Sequence, residues 1–267
     1  MRKNIFLPIA FISLLIFSCS KVPISNRKQM NLLPESEMVA MGLTSYKEFL
    51  STNPAAPVSD PNTVLVKGVG SKIQGSVVTY LNQHKLGDRV KGYKWEFNLV
   101  NNKEVNAWCM PGGKVVVYSG LLGVTQDETS LAIVMGHEIA HAIARHGNER
   151  MSQMLLQQMG GVALNVAIAD KPEQTKMIYN TAYGLGTQVG VMLPYSRLQE
   201  TEADKLGLIF AAMAGYDPRA APKFWQRMAA LGGGKPPELL STHPSDATRI
   251  KNLNAFMGEA MKYYKPH

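Results

Sequence analysis

The stretch from Asp127 to His146, DETSLAIVMGHEIAHAIARH, constrains this chain more than any other part of it. A T-x-x-E capping box, Thr125 to Glu128, opens it and Gly147 follows it, so the residues predict one helix with both ends marked. Inside lies His137-Glu138-Ile139-Ala140-His141, the HExxH pattern. Residues four apart stack on one helix face, so His137 and His141 can turn two imidazole nitrogens toward a single metal ion. Glu138 stands beside them, placed to reach a water at the ion rather than the ion itself. The flanking Leu131, Ile133, Val134, Ile139 and Ile143 are apolar. Polar ligands in so apolar a helix are costly to bury without a partner, and a metal ion is one.

A hydrolytic zinc site takes three protein ligands and leaves a position for water, so two histidines require a third group. Tyr195 to Ala214 (YSRLQETEADKLGLIFAAMA) has a second strong helical pattern and offers both Glu200 and Glu202. His146 is nine residues beyond His137, about half a turn out of phase, and is expected to support the helix C-terminus and not to join the site. Cys109 has no base near it in sequence and is expected to be a packed thiol, not a nucleophile.

Together, GHEIAHAIARH and Ser196-Arg197-Leu198-Gln199-Glu200-Thr201-Glu202-Ala203-Asp204 resemble the HtpX/BepA-type zinc metallopeptidases, peptidase family M forty-eight. The resemblance implies one Zn2+ per chain, held by His137, His141 and Glu200. It also implies Glu138 as general base and Asp204 as the carboxylate that orients a ligating histidine. Glu200 and Asp204 share a helix face, consistent with that assignment. Asn106-Ala107, Pro111-Gly112-Gly113 and Ser119-Gly120-Leu121-Leu122 resemble the family's substrate-facing edge segment, which implies that Asn106, Ala107, Gly112 and Gly113 bind substrate. Thr242-His243-Pro244 with Arg249 resembles its C-terminal segment. His243, on a glycine-proline loop, is the second candidate catalytic residue, as an oxyanion donor or a latch on the open metal position, against a merely local hydrogen bond.

The expected fold is α+β: a predominantly helical, gluzincin-like zincin with a small antiparallel sheet just before the motif helix. Sheet strands are predicted at Tyr93 to Val100, Ala107 to Met110 and Lys114 to Tyr118. Helices are predicted at Glu35 to Leu50, from Asp60 to about Gln83, from Pro218 to Leu231, and from about Ser245 to Tyr263. Met151 to Leu193 reads as a helical hairpin, buried or lid-like over the site, with a membrane-contacting surface as the alternative.

The N-terminus has Arg2 and Lys3, then an uncharged apolar run from Ile5 to Phe17, and Ser18-Cys19. It reads as a cleaved signal peptide over residues 1–18, with a lipobox-like end that makes Cys19 the acylated membrane anchor. Residues 19–33 are expected to be a tether and 34–267 one metallopeptidase domain. Net charge is +8, but no dense Lys/Arg run with interleaved aromatics argues for nucleic acid. The expected function is a zinc-dependent endopeptidase of the bacterial envelope, facing the periplasm and cleaving misfolded or misassembled polypeptides. Ser20, in place of an aspartate after Cys19, favours the outer membrane. The rival reading is an assembly factor or chaperone with a latent zinc site.

Overall fold

A computed structural model describes residues 19–231 and 246–266. The signal peptide and His243 therefore lie outside the described residues. The chain is predominantly helical with small sheets, as expected for an α+β fold of this type.

Two strands, β1 (Cys19–Lys21) and β2 (Lys28–Met30), form an antiparallel hairpin. This departs from the expected tether, because the hairpin is built into the body. Val22 is fully buried, Gln29 is buried, and the Arg89 guanidinium donates to the carbonyl of Lys21. Two helices follow, α1 (Glu35–Thr52) and α2 (Pro61–Gln83). Asp60 caps α2 by accepting from the amides of Asn62 and Thr63, and Pro61 takes the first helical position where no amide is missed.

The sheet holds β3 (Glu96–Val100), β4 (Ala107–Met110) and β5 (Lys114–Tyr118), in the order β3-β5-β4. It is mixed, not antiparallel throughout: β4 runs antiparallel to β5, whereas β3 runs parallel to it. All five residues of β5 are buried, as expected for the central strand of a covered sheet. Gly112 and Gly113, with φ of +92° and +81°, make the β4–β5 turn. Their carbonyls accept from the amides of Lys94 and Glu96, which ties the turn to the chain entering β3.

After the short helix α3 (Ser119–Thr125) comes the motif helix α4 (Glu128–Ile143). Its cap is Asp127, whose carboxylate accepts from the Ser130 amide at 2.6 Å, and not the predicted box at Thr125. Gln126, at φ +64°, already ends α3 and uses up that position. α4 is also shorter than predicted. It ends at Ile143, Arg145 turns left-handed at φ +58°, and α5 (His146–Ala167) starts on a new axis, so Gly147 is no cap.

α5 and α6 (Glu173–Thr187) form the hairpin, and a π turn, Gln188–Met192, leads from it into α7 (Leu193–Met213). The hairpin is not a buried one: α6 has no buried residue, and Met159, Val162, Val166, Met177, Ile178 and Leu185 are exposed. No helix among the described residues is long and apolar enough to cross a membrane. Helices α8 (Ala221–Leu231) and α9 (Asp246–Ala260) complete the described chain. The core gathers round α4, where Leu131, Met135, Ile139 and Ile143 are fully buried between α2, α7 and the sheet.

Candidate metal centre

α4 and α7 cross with almost no side chain between them. A Cβ added to Gly136 would lie 2.8 Å from the Gly207 carbonyl oxygen, so only glycine allows this approach. The crossing brings the α7 carboxylates against the histidine face of α4. Nε2 of His141 lies 3.1 Å from Nε2 of His137 and 3.2 Å from Oε1 of Glu200, and Nε2 of His137 lies 3.6 Å from Oε2 of Glu200. All three ligand atoms fall within 4.8 Å of one another, and all three side chains are largely withdrawn from water. Tetrahedral coordination at about 2.0–2.1 Å puts neighbouring ligand atoms about 3.3 Å apart. The observed separations fit it, and two imidazoles with one carboxylate suit zinc among the divalent ions.

Each histidine is held by its other nitrogen. Nδ1 of His137 is 2.8 Å from Oδ1 of Asp204, one turn after Glu200. Arg249 of α9 grips the same carboxylate on both oxygens, at 2.9 Å from Nε and 2.6 Å from Nη2. Its Cζ lies over the Trp225 ring, 3.3 Å from the centroid. Sequence reasoning placed Arg249 in a matching segment but gave it no role. The helix that carries it arrives from the far end of the chain.

Nδ1 of His141 lies 3.0 Å from Nδ1 of His146, and Nε2 of His146 lies 3.2 Å from Oε2 of Glu202. This overturns the expectation for His146. His146 is half a turn out of phase only on one straight helix, whereas the break at Arg145 brings it back against His141 and buries it fully. Glu202 does point away from the ligand face, toward His146 and Arg27.

Burial pushes the Glu138 carboxyl up, to about 6, with Glu200 adding to the shift and His137 opposing it. Burial likewise lowers His141, to about 3, keeping the imidazole neutral and its lone pair available. For His137, burial and Arg249 favour the neutral ring, but hydrogen bonds to Asp204 and Glu200 outweigh them and raise it to about 9. Glu202 goes the other way. Burial opposes its charge, yet hydrogen bonds from His146, Arg27 and Ser25 hold it down to about 2.

β4 packs beside α4. The Tyr118 amide donates to the Asn106 carbonyl, so in the antiparallel alternation Trp108 and Met110 also face β5. The backbone groups of Ala107 and Cys109 then point to the outer side, where no strand among the described residues pairs with them. Cys109 is a free thiol pushed up by burial and by the neighbouring Glu138 charge, which suits packing and not attack. A cavity of about 100 Å³ opens between Cys109, His141 and Arg150.

Two histidines one turn apart on a buried helix, a glutamate from a second helix, and a carboxylate behind one of the histidines define a metallopeptidase-type centre. The chain belongs to peptidase family M48: the profile described as "Peptidase family M48" matches residues 79–257. Among similar proteins is the mitochondrial metalloendopeptidase OMA1 of Schizosaccharomyces pombe, 33% identical over 243 residues, which are 90% of this chain and 66% of that protein. The Arabidopsis thaliana protein of the same name is 38% identical over 184 residues, 68% of this chain and 36% of its own. The beta-barrel assembly-enhancing protease of Escherichia coli is 31% identical over 220 residues, 78% of this chain and 44% of its own. The chain thus spans between about a third and two thirds of the length of these relatives.

Proposed function

We propose that the chain is a zinc-dependent endopeptidase, with His137, His141 and Glu200 as ligands and Glu138 as the proton-transferring base. The observation that carries this is the convergence of the three ligand atoms within 4.8 Å, with Glu138 on the same buried helix turn and an open strand edge beside it. When bound, a zinc-type ion supplies Lewis-acid polarisation of a peptide carbonyl and acidifies a water.

The chain's own residues supply the rest. Glu138, raised by burial toward the working pH range, takes the proton of the attacking water and returns one to the leaving amine. Asp204 holds the His137 ring by Nδ1, leaving Nε2 directed at the ion position. The outward amides and carbonyls of Ala107 and Cys109 pair with an extended substrate as an added strand, with Asn106 at the end of that edge. Main-chain recognition of this kind reads an extended backbone and not a particular side chain, which suits unfolded or misassembled polypeptides.

The site of action we propose is the bacterial envelope, with acylated Cys19 as the anchor and the outer membrane favoured by Ser20. This rests on the N-terminal sequence, and the relation to an assembly-enhancing protease supports it. Purified, zinc-loaded protein is expected to degrade an unfolded substrate such as casein, and Glu138→Gln to abolish that while keeping the metal. A Glu138→Gln protein as active as the parent overturns the mechanism.

A further inference from the structure

We infer that Arg27, on the N-terminal hairpin, is a positioning residue for the metal centre: it clamps Glu202, and through Glu202 and His146 it fixes the His141 ring. This rests on the reading of His141 as a ligand.

Arg27 lies in the turn between β1 and β2 and reaches into the body between α5 and α7. Its Nη1 and Nη2 donate to the two oxygens of Glu149 at 2.6 and 2.8 Å. Its Nε and Nη2 donate to the two oxygens of Glu202 at 3.0 and 2.9 Å. A further bond from Nη1 to the Lys28 carbonyl at 3.3 Å occupies the last of the donors that a guanidinium has. Both carboxylates are buried, with Glu149 1% and Glu202 2% exposed. From the same hairpin, Gln29 donates to Glu149 and, at 2.7 Å, to the carbonyl of Ala144, where α4 ends.

The direction of the hydrogen bonds gives this clamp a role beyond packing. Glu202 can only accept, so His146 donates to it from Nε2 and keeps a bare Nδ1. That nitrogen accepts from Nδ1 of His141 at 3.0 Å. His141 is thereby held in the tautomer whose Nε2 is free, the nitrogen that faces Glu200 and His137. Arg150 also approaches Nδ1 of His141, at 3.4 Å; a guanidinium only donates, so this longer contact opposes that tautomer, and the closer His146 at 3.0 Å is the partner that selects it.

The arrangement is a longer counterpart of the one behind His137, where the arginine also touches the ring itself, with Nη2 of Arg249 3.1 Å from Nδ1. There Asp204 orients the ring and Arg249, from the C-terminal helix, grips Asp204 on both oxygens. Here Glu202 orients His141 through His146, and Arg27, from the N-terminal hairpin, grips Glu202 on both oxygens. Each ligating histidine is locked by an arginine from a different end of the chain. A lysine at position 27 cannot reproduce two bidentate grips from one planar group.

The test is zinc affinity, measured by competition with a chromophoric chelator on the full chain, together with the visible spectrum of the cobalt-substituted protein. Glu202→Gln, nearly the same shape, and Arg27→Lys are each expected to weaken zinc by about 10- to 100-fold and to alter the cobalt bands. Both are also expected to shrink the rise in Tm that zinc gives more than they lower the Tm of the metal-free protein. His141→Ala should lose zinc outright, and Lys72→Met, which breaks the exposed Lys72–Glu128 pair, should change nothing. Parental zinc affinity and cobalt bands in a folded Glu202→Gln or a folded Arg27→Lys protein overturn the inference, provided that His141→Ala loses the metal. Parental affinity in His141→Ala removes the ligand assignment, and this inference with it. If Arg27→Lys folds poorly, Glu202→Gln decides, since it leaves Arg27 and His146 unaltered and only replaces one acceptor oxygen of the clamp by an amide that faces their donors.

Discussion

Gly136 and Gly207 meet backbone to backbone where α4 crosses α7, and a Cβ on Gly207 would sit 2.7 Å from the amide nitrogen of His137. The geometry of the metal centre depends on that contact, because it sets how far Glu200 stands from the two imidazoles. Gly207→Ala must push the helices apart. We expect a loss of about 1–3 kcal/mol, typical of overpacking, and a larger fractional loss of zinc affinity than of stability. Thermal unfolding and zinc titration of the same preparation check both.

The carboxylate behind His137 is expected to matter for the metal and not only for the fold. Asp204→Asn keeps the shape but puts an amide donor where Nδ1–H and Arg249 both seek an acceptor. Zinc affinity should fall about 10- to 100-fold, by chelator competition. An unchanged affinity would show that Asp204 does not orient the ligand.

Glu138 is expected to set the acid side of the activity profile. As the proposed base it is needed as a carboxylate, and burial raises its pKa from 4.5 to about 6, so protonation should remove activity as the pH falls. A bound dication draws the value back down. The acid limb of kcat/KM should therefore fall between 4.5 and about 6. A profile flat down to pH 4 in zinc-loaded, folded protein contradicts the assignment.

Glu202 gives a separate prediction for stability. Its folded pKa, about 2, lies below its ordinary 4.5, so its charged form stabilises the fold. That contribution is complete above about 4.5 and is lost as the pH falls toward 2. Glu202→Gln should flatten the fall in Tm over this window, measured on metal-free protein.

The open edge of β4 can be tested without touching the centre. Ala107→Pro removes an amide that the sheet does not use, so Tm should hold while KM for an unfolded substrate rises by about fivefold, the worth of one hydrogen bond of about 1 kcal/mol. A KM equal to the parent's removes β4 as the docking strand.

The parts of this molecule legible in the sequence are those fixed by local pattern. The HExxH spacing marks one helix face, Asp60-Pro61 opens α2 as read, and the strands of the sheet fall close to where alternation and β-branching placed them. What escaped depends on where the backbone bends. His146 looked out of phase only because nothing in ARHG announces that Arg145 turns left-handed. The bonds from Lys94 and Glu96 to the carbonyls of Gly112 and Gly113 were out of reach because they depend on a parallel strand from earlier in the chain. Arg27 looked like part of a polar tether because its two carboxylate partners lie 122 and 175 residues away.

Zinc-edge X-ray absorption of the purified, metal-loaded chain tests the central claim most directly. The account predicts one zinc per chain with two imidazole nitrogens and carboxylate oxygen at about 2.0–2.2 Å, and no zinc retained by His141→Ala. A spectrum with sulfur in the first shell, or one unchanged by Glu200→Ala and His141→Ala, contradicts it.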